Sequence, residues 1–187
     1  MNLGIRAFGG KIEKNYIENK TGNIGNAGIY IAYDNVSVEN NKIGGFNNNI
    51  IISGNKPTFI NNSFIGTINL ETQKNVLITN GGWNGHGGSG FSNLEVINMQ
   101  NNYWSNVSSS DISNSIYDYN DDFELNGNVD FSNALSTPHP GTPISSVKNL
   151  KVTRLASSTE LTWDANVETD LAGYKVHYGT LTNGSYN

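Results

Sequence analysis

The chain has 187 residues, a formal net charge of −5 and no cysteine, which excludes disulfides, thiolate catalysis and thiolate metal sites. Charged residues make up only 14%, well below the roughly 25% norm, and about 30 asparagines, with serine and glycine, take their place. An acidic pI near 5.1 and the lack of a basic patch exclude nucleic acid as a partner, and no apolar run approaches the roughly 18 residues a membrane span needs.

Taken in chain order, the first elements are short and β-branched. Leu3 and Ile5 alternate, Ile12 follows, then Ile17. Residues 18–26 lengthen this first unit. In the second, Ile29 and Ile31 alternate around Tyr30, Asp34-Asn35 makes a turn, and Val36 and Val38 alternate around Ser37. Asn40-Asn41 then makes a tighter turn before Ile43. The third unit repeats the layout with Ile50, Ile52, Phe59 and Phe64, and the fourth with Ile68, Leu70, Val76, Ile78 and Trp83. Alternation over so few residues reads as strands.

One pattern, apolar-x-x-Asn-x-apolar, ties the units together. It fits Ile12–Asn15–Ile17, Val38–Asn41–Ile43, Phe59–Asn62–Phe64 and Met99–Asn102–Trp104, with Ile78–Gly81–Trp83 as a glycine variant. A period of roughly 20 residues is too short for two helices and fits one coil of a β-solenoid. Three short strands per coil predict an all-β chain, a parallel β-helix of about five coils. Asn15, Asn41, Asn62 and Asn102 would then stack at one turn. An amide carries both donor and acceptor, so such a row can bond coil to coil; plain turn formation would also place asparagine there.

Residues 84–90 form a glycine-rich loop leaving the fourth coil. Residues 105–135 predict a C-terminal cap, with Ile112, Ile116 and Tyr117 at helical spacing behind capping serines. Asp118, Asn120 and Asp122 resemble the opening of a calcium loop, but Phe123 and Val129 stand where glycine and glutamate are required, so the segment is read as structural.

The segments NNYW at 101–104 and SIYDYNDDFELNGNVDFS at 115–132 resemble the end of right-handed parallel β-helix domains of the pectin-lyase-like superfamily. The coils with VENNKI and FINNSF resemble the carbohydrate-binding and sugar-hydrolase repeats of that group. The resemblance covers residues 1–137 and implies a right-handed β-helix. The group holds polysaccharide lyases, glycosidases, epimerases and non-catalytic surface proteins, so it does not fix an activity.

Residues 138–146 hold Pro138, Pro140 and Pro143 and predict a short, stiff linker. Residues 147–187 resemble the N-terminal half of a fibronectin type III module, an Ig-like sandwich. Strands are expected around Leu150 and Val152, around Leu161 and Trp163, and over Tyr174, Val176 and Tyr178. Such a module needs about 100 residues, so the chain is expected to be a fragment of a longer protein.

The residues suggest little chemistry. Gly85-His86-Gly87 is similar to a polygalacturonase motif, but the two preceding coils supply only Glu71 and no arginine follows before Arg154. A hydrolase needs paired carboxyls. Lys14 and Lys42 flank the asparagine turn and read as solvated turn charges. Glu13, Glu18 and Glu39 do not repeat as a cluster, and His86, His139 and His177 are dispersed. No catalytic residue, metal site or cofactor is assigned. Tyr16, Tyr30 and Tyr33 remain, with Tyr30 directed outward by the alternation. An outward tyrosine row is a candidate glycan platform, since aromatic faces stack on sugar rings.

The sequence thus reads as part of a monomeric secreted or cell-surface protein, extracellular, that binds or scaffolds a polysaccharide or cell-surface glycan. The alternatives are a polysaccharide lyase or glycoside hydrolase with its active site on missing upstream coils, and a structural stalk or adhesin. Two acids on adjacent coils of one face would favour an enzyme, and an outward aromatic row a binder.

Overall fold

The computed structural model describes residues 3–19, 27–66, 69, 72–83, 85, 87–105 and 108–178. The described chain is all-β apart from one short helix. Its strands come in threes. The first circuit is β1 (Leu3–Ala7), β2 (Gly10–Glu13) and β3 (Tyr16–Glu18); the second β4 (Ala27–Ile31), β5 (Val36–Glu39) and β6 (Lys42–Gly44). The third is β7 (Asn48–Ile52), β8 (Thr58–Ile60) and β9 (Ser63–Ile65); the fourth β10 (Lys74–Ile78), β11 (Glu95–Asn98) and β12 (Tyr103–Trp104).

Every third strand is a neighbour. One sheet has the order β1-β4-β7-β10, a second β2-β5-β8 and a third β3-β6-β9-β12, all paired parallel. The register explains the sequence pattern. Ile5, Ile29, Ile50 and Val76 lie side by side in the first sheet, and Ile12, Val38 and Phe59 in the second. In the third, Ile17, Ile43, Phe64 and Trp104 lie side by side. These rows enclose one apolar core. β-branched and aromatic side chains suit this half-buried pleated surface. Within the core the Phe64 and Trp104 rings stack at 4.4 Å between centroids.

The structure changes the reading of residues 78–83. Ile78 ends β10 in the first sheet, beside Ile52, so it does not repeat Val38 or Phe59. Gly81 is not a rung of the asparagine row; the next rung after Asn62 is Asn102. The cause is an excursion between β10 and β11, described over residues 79–83, 85 and 87–94. Ile68 and Leu70, expected to open this unit, lie outside the described residues.

Residues 105–135 are more than a lid. The helix α1 (Ser109–Asn114) starts at the N-cap Ser108, which forms a capping box with Asp111. Ile112 is buried beneath it, but Ile116 and Tyr117 form β13 (Ile116–Tyr117), not helix. β13 adds to the first sheet on β10. β14 (Gly127–Asp130) pairs parallel with β11, and Leu135 bridges to Tyr103. The segment is therefore a fifth circuit. Between its strands Asp118 is buried, and its carboxylate accepts the Asn120 N–H at 2.9 Å and the Val129 N–H at 2.7 Å. Its oxygens serve the turn.

The C-terminal part differs from expectation in two ways. β15 (Lys148–Arg154) and β16 (Thr159–Asp164) pair antiparallel as a hairpin, but residues 171–178 form no third strand. Tyr174 instead packs edge-on against Trp163, 5.0 Å between centroids, and its hydroxyl donates to Asn166 Oδ1. Nor is the proline-rich stretch only the short, stiff linker expected. Thr142 is buried, and a tight turn returns its N–H to the His139 carbonyl at 2.9 Å.

This stretch leads to a buried ion pair. Tyr16, Lys42, Ser63 and Tyr103 lie side by side on the third sheet. Lys42 is fully buried, its ammonium bonded to Glu168 and, at 3.0 Å, to Ser145 Oγ. Glu168 also accepts the Ser145 N–H at 2.9 Å and the Asn166 amide at 3.2 Å. Lys42 is thus not a solvated turn charge. The sequence around it is unremarkable; its partner lies 126 residues away. Burial pushes the Glu168 carboxyl up, but Lys42 and the Ser145 donors outweigh it and hold it at about 2.

Candidate functional site

Two features were candidates for a functional role. The first is the asparagine row. Asn15 Nδ2 donates to Asn41 Oδ1 at 3.0 Å, Asn41 Nδ2 to Asn62 Oδ1 at 3.2 Å, and Asn62 Nδ2 to Asn102 Oδ1 at 3.0 Å. Each Oδ1 also accepts a backbone N–H from the circuit before, at 2.9, 3.0 and 2.7 Å. Asn41, Asn62 and Asn102 are fully buried. The row is structural: its polar atoms face one another.

The second feature lies where the first sheet turns into the second. On the outer face of the first sheet, Arg6, Tyr30, Ile51, Leu77 and Tyr117 lie side by side. The excursion folds over this face. Trp83 sits 6.0 Å from the Tyr30 ring. The Gly87 carbonyl accepts from Arg6 Nη2 at 2.9 Å and from the Tyr30 hydroxyl at 3.2 Å. Ser89 N–H donates to the Ala32 carbonyl and Gly90 N–H to the Ser53 carbonyl. Gly88 is forced by this approach: a Cβ there would lie 2.5 Å from Ser53 Cβ. The glycines of the loop thus include one that lets backbone press on backbone.

Tyr30 does leave the core, but the loop buries it completely, so it is not open to a sugar ring. Tyr16 lies on the third sheet, half-buried, its hydroxyl donating to Glu18 Oε2 at 2.9 Å. Burial, with Glu18 beside it, pushes the Tyr16 phenol up to about 12. The three tyrosines do not form one row.

Tyr33 is 42% exposed and stacks on Phe8, 60% exposed, with centroids 5.6 Å apart and planes 28° from parallel. The Arg6 guanidinium lies 4.7 Å from the Phe8 centroid and 5.7 Å from that of Tyr30. Asp34 borders the patch. It accepts Ser89 Oγ at 2.6 Å and the Asn55 N–H at 2.8 Å, and these donors, Ser89 foremost, hold its carboxyl below the usual range. Phe8 escaped the sequence reading because it falls in a turn outside the repeat pattern.

Among the described residues, acid chemistry has one candidate arrangement. Glu13 and Glu39 are register partners on neighbouring circuits, contrary to the expectation that acids do not cluster. Lys11 bridges them at 2.6 and 2.7 Å. Lys11, then Ser37, holds the Glu39 carboxyl below its usual range, the opposite of what a general acid requires. His86 lies outside the described residues. Among the described residues no three histidine, aspartate or glutamate side chains converge as for a metal ion, and no helix is long and apolar enough to cross a membrane.

Compared with family models, curated proteins and solved structures, the chain matches none of them.

Proposed function

We propose that this chain is the glycan-binding part of a secreted or cell-surface protein, a right-handed parallel β-helix whose Phe8–Tyr33 pair stacks on sugar rings. On this reading residues 147–187 form the first part of a fibronectin type III module. The observation that carries the reading is the exposed, stacked aromatic pair. Solvent-facing aromatic rings are costly to leave bare and are enriched where a flat apolar partner docks. Arg6 braces Phe8 and Phe8 braces Tyr33, so little rotamer freedom remains to be lost on binding. The clamped Glu13–Lys11–Glu39 group supports a binder over a hydrolase.

Affinity electrophoresis tests it. In native gels containing a soluble glucan, mannan, xylan or pectin, the wild-type chain is expected to be retarded by at least one polymer. Phe8→Ala/Tyr33→Ala should be clearly less retarded, while Tyr16→Phe should behave as wild type. Equal retardation of the platform variant, or of none of the three proteins, rejects the proposal.

A further inference from the structure

The second sheet has a break in it. β8 and β11 are successive strands of this face, and the hydrogen bond from Asn62 Nδ2 to Asn102 Oδ1 ties them together at one end. Yet β8 belongs to one sheet and β11 to another, and no ladder joins them among the described residues. The sequence gives the cause. Pro57, at the entry to β8, has no N–H to donate. Lys56 before it adopts a left-handed backbone, φ 54°, and its N–H is taken by Glu95 Oε1 at 2.6 Å.

On the outer side of this break lies a cleft of about 260 Å³. Thr58, Ile60 and Asn61 line one wall and Asn98, Gln100 and Asn101 the other; none of them is charged. The second wall is fixed by its own hydrogen bonds. Gln100 Nε2 donates to Asp130 Oδ2 at 2.7 Å and to Ser132 Oγ at 2.9 Å. Both amide protons are then committed, leaving Oε1 as an acceptor. Asn98 Oδ1 accepts the Gln100 N–H at 2.9 Å, leaving its Nδ2 as a donor. Across from this pair, Ile60 is half exposed and offers an apolar surface.

We infer that the β8–β11 cleft is a binding subsite for an uncharged sugar unit bearing two adjacent hydroxyls, separate from the Phe8–Tyr33 platform. One hydroxyl donates to Gln100 Oε1 and its neighbour accepts from Asn98 Nδ2. The C–H face of the ring rests on Ile60. The lining holds no cation to pair with a sugar carboxylate, and the cleft is smaller than the roughly 300–1,000 Å³ of drug-sized sites, which suits a single ring. The cleft shares no lining residue with the platform and is a second, separate contact.

The test is a heteronuclear NMR titration of the full chain with cellotetraose, mannotetraose and tetragalacturonate at millimolar concentration. At least one neutral tetrasaccharide is expected to shift the side-chain amide signals of Asn98 and Gln100, and to do so equally in Phe8→Ala/Tyr33→Ala. Asn98→Ala, an exposed position, and Gln100→Leu should each weaken that binding roughly tenfold, the effect of one lost hydrogen bond to a fixed partner. Backbone signals of β4 and β7 report that each variant keeps its fold. No shift with either neutral probe, a shift with the acidic probe alone, or binding unchanged in both variants overturns the inference. The platform can fail in the gel assay while these shifts persist, and the reverse, so the two proposals fail separately.

Discussion

Lys42→Met is expected to lower the free energy of unfolding by about 3–5 kcal/mol, the range for removing one partner of a buried ion pair. The loss comes from Glu168, left buried with Ser145 and Asn166 as its remaining donors. Denaturant unfolding measures it. The double variant Lys42→Met/Glu168→Leu should recover most of the loss, because two apolar side chains avoid the desolvation that the charges incur. Hydrogen exchange at the Ser145 amide, which donates to Glu168, should quicken in the single variant as the C-terminal segment lifts from the third sheet. The pH dependence follows from the depressed Glu168 carboxyl, at about 2. A lowered folded-state value contributes stability that is fully present above the unfolded carboxylate range, about 4.3. It is lost only as pH falls toward 2. The segment is therefore expected to stay docked at pH 5, and wild type and variant should converge in stability only near the acid limit.

Asn62→Leu is the second large effect. The side chain is fully buried. Its Oδ1 takes the Asn41 N–H at 3.0 Å, and its Nδ2 serves the Val38 carbonyl at 2.8 Å. Leucine strands both groups, each at about 1–3 kcal/mol, so a loss of about 2–6 kcal/mol is expected in thermal or denaturant unfolding. Asn15 is exposed at the end of the row, and Asn15→Leu should cost far less. Asn62→Asp separates the amide's two roles. It keeps an acceptor for Asn41 but sets a carboxylate against the Val38 carbonyl and Asn102 Oδ1. Burial raises its pKa above the unfolded value of about 3.9. A raised folded-state value gives stability that is present at low pH and lost as pH rises through it. The gap between this variant and wild type should therefore narrow on acidification.

Much of the stack is legible in the sequence because its physics is periodic. Parallel register places like residues side by side, so Ile29, Ile50 and Val76, or Asn41, Asn62 and Asn102, announce themselves by spacing. Legibility fails where the period breaks. Ile78–Gly81–Trp83 imitates a repeat in composition, yet Ile78 belongs to the first sheet and the chain then leaves on an excursion. Tyr30 was directed outward by alternation, which is true of the sheet, but alternation says nothing of a loop that returns to cover it. Lys42 reads as an ordinary turn charge because its partner Glu168 is remote in sequence, and a lone lysine carries no sign of a distant carboxylate. Phe8 is half of the exposed platform and sits in a turn, where no pattern marks it. The break between β8 and β11 did leave a signal, Pro57, which bars a ladder hydrogen bond at that place. The third strand expected over Tyr174, Val176 and Tyr178 alternates well, but alternation alone does not supply a neighbour to pair with.

The proposal that Phe8 and Tyr33 hold glycan is best tested on an array of immobilised oligosaccharides probed with wild type, Phe8→Ala, Tyr33→Ala and Tyr16→Phe. Wild type and Tyr16→Phe are expected to retain the same set of glycans through washing, and both platform variants to lose glycans from that set. Retention of that same set by Phe8→Ala and Tyr33→Ala would contradict it.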